Sequence, residues 1–130
     1  MSRAIARENV FKLVFEYVFN KEKNQEFLDE VLEEEIIQKE VGYIQEVYNG
    51  VISHYDEIIG EIKNFSSSFK LDRIFKVDLA ILLVAIYEIK YIKSIPNLVS
   101  VNEALNLAKK YSTEKSNAFI NGILKNFIGE

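Results

Sequence analysis

The segment Asp78-Leu79-Ala80-Ile81-Leu82-Leu83-Val84-Ala85-Ile86-Tyr87-Glu88-Ile89-Lys90-Tyr91 decides the fold of this chain. It is apolar nearly all round at its centre, so it reads as a helix buried on every side, the spine of its half of the molecule. Its uninterrupted apolar run, Leu79 to Tyr87, is nine residues. A membrane span needs about 20. Pro96 stops the helix. Downstream, Ser100-Val101-Asn102-Glu103 has the spacing of a capping box, with Ser at the cap and Glu three residues on. The helix it opens carries Ala104, Leu105, Ala108 and Tyr111. A last helix over about 116–128 carries Phe119, Ile120, Ile123, Leu124 and Phe127.

Upstream of the spine, Phe69 to Ile74 reads as a short helical turn and Ser66-Ser67-Ser68 as a loop. A long helix is predicted over about 39–64, with a seam of Val41, Ile44, Tyr48, Val51, Ile52, Tyr55, Ile59 and Ile62 and with Gly42, Gly50 and Gly60 inside it. Each interior glycine costs about 1 kcal/mol relative to alanine, which points to close helix approach or a kink. Before it, a short helix carries Phe27, Leu28, Val31 and Leu32 and ends in Glu33-Glu34-Glu35. The first helix, about 4–19, places Val10, Leu13, Val14, Tyr17 and Val18 on one face and Phe11, Phe15 and Phe19 beside them, an apolar arc wide enough for a central position. Arg3 and Arg7 extend the same face. Arginine is not buried there unpaired, so either the helix overhangs its partners or both side chains reach outward. Strand-like alternation is absent. The pattern is all-α, about seven helices in two packed sub-bundles, and residues 1–130 read as one domain.

The 130 residues are 48% hydrophobic and 28% charged, ordinary for a globular protein. Cysteine is absent and histidine occurs once, at His54, which excludes a disulfide framework, a Cys-ligated zinc site and a histidine relay. No cofactor or metal is expected. The start of the chain has no apolar signal segment, and a cytoplasmic protein is expected. The net charge of −4 is unevenly distributed: residues 1–21 carry +2, residues 22–61 carry −10 and residues 62–130 carry +4. A polarised surface results if the two basic ends meet in the fold; otherwise the glutamates are simply a solvated face.

Catalysis finds no support. There is no nucleophile elbow and no phosphate-binding glycine pattern. His54 falls beside the apolar seam of its helix, where a surface histidine is the simpler reading, and Glu33, Glu34 and Glu35 project to different sides. The basic residues are more informative. Arg3 and Arg7 are one turn apart with Lys12 following, and Lys109, Lys110 and Lys115, with Asn117, surround the junction of the last two helices. Such cations suit a phosphate chain, and Tyr111 and Phe119 are candidate stacking platforms for unpaired bases. Phe119 at helical spacing from Ile123 also fits a core position. Asn121-Gly122 interrupts an amphipathic pattern, which implies a crossing helix or an approaching ligand backbone at Gly122.

Three segments together resemble the NusB family of bacterial transcription antitermination factors. They are Arg3-Ala4-Ile5-Ala6-Arg7-Glu8; Phe69-Lys70-Leu71-Asp72-Arg73-Ile74 running on through Val77-Asp78-Leu79 to Tyr87-Glu88-Ile89; and Pro96 through Asn102-Glu103-Ala104 and Leu107-Ala108-Lys109 to Phe119-Ile120-Asn121-Gly122-Ile123-Leu124. The resemblance spans nearly the whole chain in the family's order. It implies a non-enzymatic adaptor that binds boxA-type single-stranded RNA jointly with the ribosomal protein NusE, joins an antitermination complex on RNA polymerase, and in some members forms a homodimer. Arg3, Arg7, Lys12, Lys109, Lys110, Lys115, Asn117 and Phe119 are then the RNA-facing candidates. The resemblance turns the spine helix and the turn before it towards NusE, so that Asp78, Lys70 and Arg73, with Phe15, are the partner-facing ones. Lys115 stands in a stretch where relatives often carry an acid. A helical protein-interaction module without RNA binding is the alternative. A domain like that appended to some rRNA cytosine methyltransferases is a third reading, against which stands the lack of a catalytic domain.

Overall fold

The computed structural model describes residues 2–66 and 73–128. Among them α1 spans Ser2–Asn20, α2 Gln25–Leu32, α3 Val41–Ser53, α4 Tyr55–Phe65, α5 Lys76–Tyr91, α6 Asn97–Tyr111 and α7 Glu114–Leu124, with a 3-10 helix, Glu35–Glu40, between α2 and α3. No strand occurs among the described residues. The turn expected over Phe69 to Ile74 lies largely outside them.

Helix α5 is the spine that its composition implies. Every residue from Asp78 to Ile89 is buried, and the helix packs against α1, α3, α4, α6 and α7. Helix α1 lies across α5 and also packs on α3, α2 and the 3-10 helix, burying Ala6, Val10, Leu13 and Val14 completely. The buried apolar side chains form one cluster across all seven helices. Helices α5 and α6 are antiparallel: Glu88 near the end of α5 meets Ser100 near the start of α6, and Asp78 at the start of α5 meets Ser112 just beyond the end of α6.

The single long helix expected over 39–64 is divided. A 3-10 helix precedes it, and it breaks at His54, whose backbone (φ −107°, ψ 19°) ends α3 and opens α4. The His54 ring nitrogen Nδ1 lies 3.0 Å from the Gly50 carbonyl, which also accepts the His54 backbone N–H at 2.9 Å. A side chain competing for a ladder carbonyl is an ordinary source of such a kink. Beyond the break Ile58 and Ile62 are fully buried, and Ile59, expected on the seam, is only half-buried. Gly50 is the close approach that the interior glycines suggested: a Cβ there would fall on the ring of Tyr87 from α5. Gly42, Gly60 and Gly122 have nothing within 4 Å of a Cβ position. Gly122 is exposed, and neither a helix crossing nor a close approach accounts for it.

The cap of α6 also differs from expectation. Pro96 precedes the first turn, fixing the backbone for helix entry, and Ser100 lies inside the helix, buried, with its hydroxyl engaged elsewhere. Helix α7 begins two residues earlier than expected and ends at Leu124.

Candidate nucleic-acid interface

The two arginines of α1 part company. Arg7, expected at an exposed helix start, is only 4% exposed. Its Nε donates to Glu88 Oε2 at 2.7 Å and its Nη2 to Glu88 Oε1 at 3.2 Å. Glu88, fully buried, also accepts from the Ser100 hydroxyl at 2.7 Å and from the Tyr43 hydroxyl, so one carboxylate ties together α1, α3, α5 and α6. Glu103 stands 3.8 Å from Arg7 Nη1. Burial alone disfavours the Arg7 charge, but its hydrogen bond to Glu88 and the neighbouring Tyr43, Glu88 and Glu103 outweigh it, and the guanidinium is held above its ordinary pKa. Burial and the Glu88 charge likewise push the Tyr43 phenol up, keeping it a donor. Arg7 is therefore an internal strut and has no free donor face for a phosphate. Arg3, half-exposed, bonds Glu40 at 2.7 Å and lies over the Tyr43 ring at 4.3 Å.

The lysines fare differently. Lys12 on α1 and Lys109 on α6 are exposed, as are Lys115 and Asn117 in the first turn of α7. Lys12, Lys109 and Lys115 make no ion pair with any described residue. Lys110 reaches back to α1, where its Nζ lies 2.7 Å from Glu8 Oε2, and Tyr111 gives its hydroxyl to the same oxygen. Those hydrogen bonds, with the Lys110 and Lys12 charges, hold the Glu8 carboxyl below its ordinary range. The Tyr111 ring packs on Phe11, centroids 5.1 Å apart. It is an anchor between α1 and α6 with one edge exposed. The basic start of the chain and its basic second half do meet, through Glu8, Phe11, Lys110 and Tyr111.

Asp78, expected to face the protein partner, is buried. It is 4% exposed, and accepts from Ser112 Oγ at 2.6 Å and Ser116 Oγ at 2.8 Å. Its carboxylate fastens the α6–α7 junction to the start of α5, and the residue also lines the groove beside it. Ser116 also contacts Thr113 Oγ1 at 3.1 Å, closing the turn that presents Lys115. Next to it opens a groove of about 570 Å³, lined among others by Arg73, Phe75, Lys115 and Phe119. Arg73 and Phe75 are exposed, Phe75 at 56%, and Phe119 is half-buried in its wall. Phe15 is half-buried in a row of rings with Phe11 and Phe19. Lys70 lies outside the described residues.

Residues missed from sequence are Glu8, Tyr43, Glu88, Ser100, Ser112 and Ser116, all polar partners inside or between helices. Two signals pointed to the central one: Arg7 on the continuation of an apolar face, and Glu88 inside a helix apolar all round. Two opposite charges in positions that each must bury are each other's natural partner. No helix of the described residues is long and apolar enough to cross a membrane, and no group of acidic or histidine side chains among them could hold a metal ion.

The model of the NusB family matches residues 4–129. The transcription antitermination protein NusB of Acetivibrio thermocellus is 44% identical over 125 residues, covering 95% of this chain and 86% of that protein. The one from Agathobacter rectalis is 42% identical over 130 residues, covering 98% and 99%. Among solved structures, T. maritima NusB superposes with a TM-score of 0.79 at 31% identity over 97% of this chain and 89% of its own. A chain in the crystal structure of a plectonemic RNA supercoil superposes with a TM-score of 0.86 at 26% identity over 98% and 94%. With a family model matching almost end to end and curated transcription antitermination proteins matching at this level over nearly their full length, the chain belongs to the NusB family.

Proposed function

We propose that this chain is a cytoplasmic antitermination adaptor that binds boxA-type single-stranded RNA together with the ribosomal protein NusE and enters an RNA polymerase complex that suppresses termination. The observation that carries this reading is the division of its cations. Arg3, Arg7 and Lys90 are consumed by Glu40, Glu88 and the Glu57–Glu61 pair, whereas Lys109 and Lys115, close together in sequence at the α6–α7 junction, and Lys12 on α1 stand exposed without a salt bridge among the described residues, as do Lys21, Lys23, Lys39, Lys63, Lys93 and Lys125 elsewhere. In a chain of net charge −4, exposed cations such as Lys109 and Lys115 beside one helix junction are suited to a polyanion. Asn117 in the same turn and Phe119 in the adjoining groove add a polar and an aromatic contact of the kind single-stranded bases use. The plectonemic RNA supercoil structure, which contains a chain of this fold, supports the same assignment. Arg73 and Phe75, exposed at the entrance to α5, are the NusE-facing residues of this reading.

The test is fluorescence anisotropy of a labelled boxA-type oligonucleotide, with and without NusE, across a salt series. The expected result is tighter binding with NusE and a linear fall of log affinity with log salt. A chain that binds NusE but leaves RNA affinity unchanged is the protein-interaction module instead.

A further inference from the structure

We propose that Lys12, Lys110 and Tyr111 form a phosphate subsite for RNA whose place is held, in the free protein, by the carboxylate of Glu8. The inference rests on the RNA-binding reading above and adds to it a residue that sets affinity by competing with the ligand.

Glu8 Oε2 receives two donors from another helix, the Lys110 ammonium at 2.7 Å and the Tyr111 hydroxyl, while Lys12, one turn further along α1, adds its charge. A carboxylate and a phosphodiester both present a pair of anionic oxygens to charged N–H and to O–H donors, so donors that converge on one suit the other. Position decides whether an exchange is open to them. The Arg7–Glu88 pair is sealed in the core; the Glu8 cluster is at the surface, with the side chain of Lys110 63% exposed and that of Glu8 24% exposed. An exposed ion pair is weakly held, and one side-chain rotation releases it. The acceptor is the part that moves, because the Tyr111 ring is seated against Phe11 and keeps its hydroxyl in place. Lys110 Nζ stays close to that ring, 5.4 Å from its centroid. A phosphate reaching this surface thus meets a preformed donor set, and must displace Glu8 to use it. Glu8 keeps Lys110 neutralised until then and repels the incoming strand.

The experiment is the same anisotropy assay at low salt with NusE present, on boxA-type RNA and a scrambled RNA of equal length, for the wild type, Glu8→Gln, Lys110→Ala and the double variant, with a melting curve for each. Glutamine retains an amide oxygen for the tyrosine hydroxyl, so the fold is kept. Expected is about fivefold tighter binding by Glu8→Gln on both RNAs alike, since a phosphate contact does not read sequence. The salt slope steepens by about 0.7, the value of one further phosphate on a single strand. Lys110→Ala costs less than twofold in the wild type and abolishes the gain in the Glu8→Gln background. Unchanged or weaker binding by Glu8→Gln, or an equal cost of Lys110→Ala in both backgrounds, overturns the inference while leaving the RNA-binding reading intact. Absence of RNA binding by every form overturns the reading itself.

Discussion

Arg7 and Glu88, 81 positions apart in sequence, form a two-pronged ion pair of 2.7 and 3.2 Å in the centre of the bundle. Each is almost inaccessible to water, and every remaining acceptor position on Glu88 is filled by Ser100 or Tyr43. Buried pairs of this kind add little net stability over an apolar substitute, but removing one partner strands the other charge.

Arg7→Ala and Glu88→Ala each therefore lower unfolding stability by about 3–5 kcal/mol. The double variant costs less than the sum, because the charges are removed together. Urea denaturation followed by circular dichroism checks both. An unmoved midpoint with loss of RNA affinity would instead return Arg7 to the surface role its sequence position suggests.

Asp78→Ala leaves the hydroxyls of Ser112 and Ser116 without their acceptor and costs about 1–3 kcal/mol. The α6–α7 turn loosens with it, so RNA binding weakens along with the melting temperature, through misplacement of Lys115. If NusE binding is lost while melting temperature stays constant, the carboxylate is a partner contact after all.

Two glycines respond in opposite directions. Gly50→Ala drives a methyl group into the Tyr87 ring and destabilises by about 1–3 kcal/mol, and Tyr87→Leu in the same chain recovers part of the loss. Gly122→Ala meets nothing and stabilises α7 by about 0.5–1 kcal/mol through its helix preference. Thermal melts of the three variants decide this.

The Glu8 contact has a pH signature. Hydrogen bonds from Lys110 and Tyr111 place the folded-state pKa of Glu8 below the ordinary 4.5, so its stabilisation is fully present above the ordinary value. It is lost as pH falls through the lowered folded value, where protonation of the folded state ends the advantage. The stability difference between wild type and Glu8→Gln is accordingly constant from neutral pH down to about pH 5 and shrinks below it. A difference that grows on acidification contradicts the contact.

The architecture was legible in sequence wherever periodicity carried it: the enclosed α5, the broad apolar arc of α1 and the stripe of α7; Pro96, expected to stop α5, instead precedes the first turn of α6, and α5 ends at Tyr91. What escaped was tertiary and polar. The break at His54 coincides with a ring nitrogen lying against the Gly50 carbonyl, while the spacing of Tyr48, Val51, Tyr55 and Ile62 fits an uninterrupted helix equally well. Ser100 has ideal capping-box spacing, yet Pro96 opens the helix a turn earlier and Glu88 takes the hydroxyl. For the site, the lysines Lys12, Lys109 and Lys115 are where their sequence positions imply, because long exposed side chains need no partner. Arg7 and Asp78 are not, because each is claimed by residues distant in sequence: Arg7 by Glu88, which the two buried-charge positions hinted at, and Asp78 by Ser112 and Ser116, for which nothing local gave a signal.

The division between structural and ligand-facing cations is tested most directly by the salt dependence of boxA-type RNA binding, with NusE present, for wild type against Lys109→Ala/Lys115→Ala. Each phosphate contact on a single strand contributes about 0.7 to the slope of log affinity against log salt. The double variant is predicted to lose about 1.4 from that slope and to bind more weakly at low salt, with the wild-type melting temperature retained. An unchanged slope at unchanged stability would contradict the account and place the RNA on another face of the molecule.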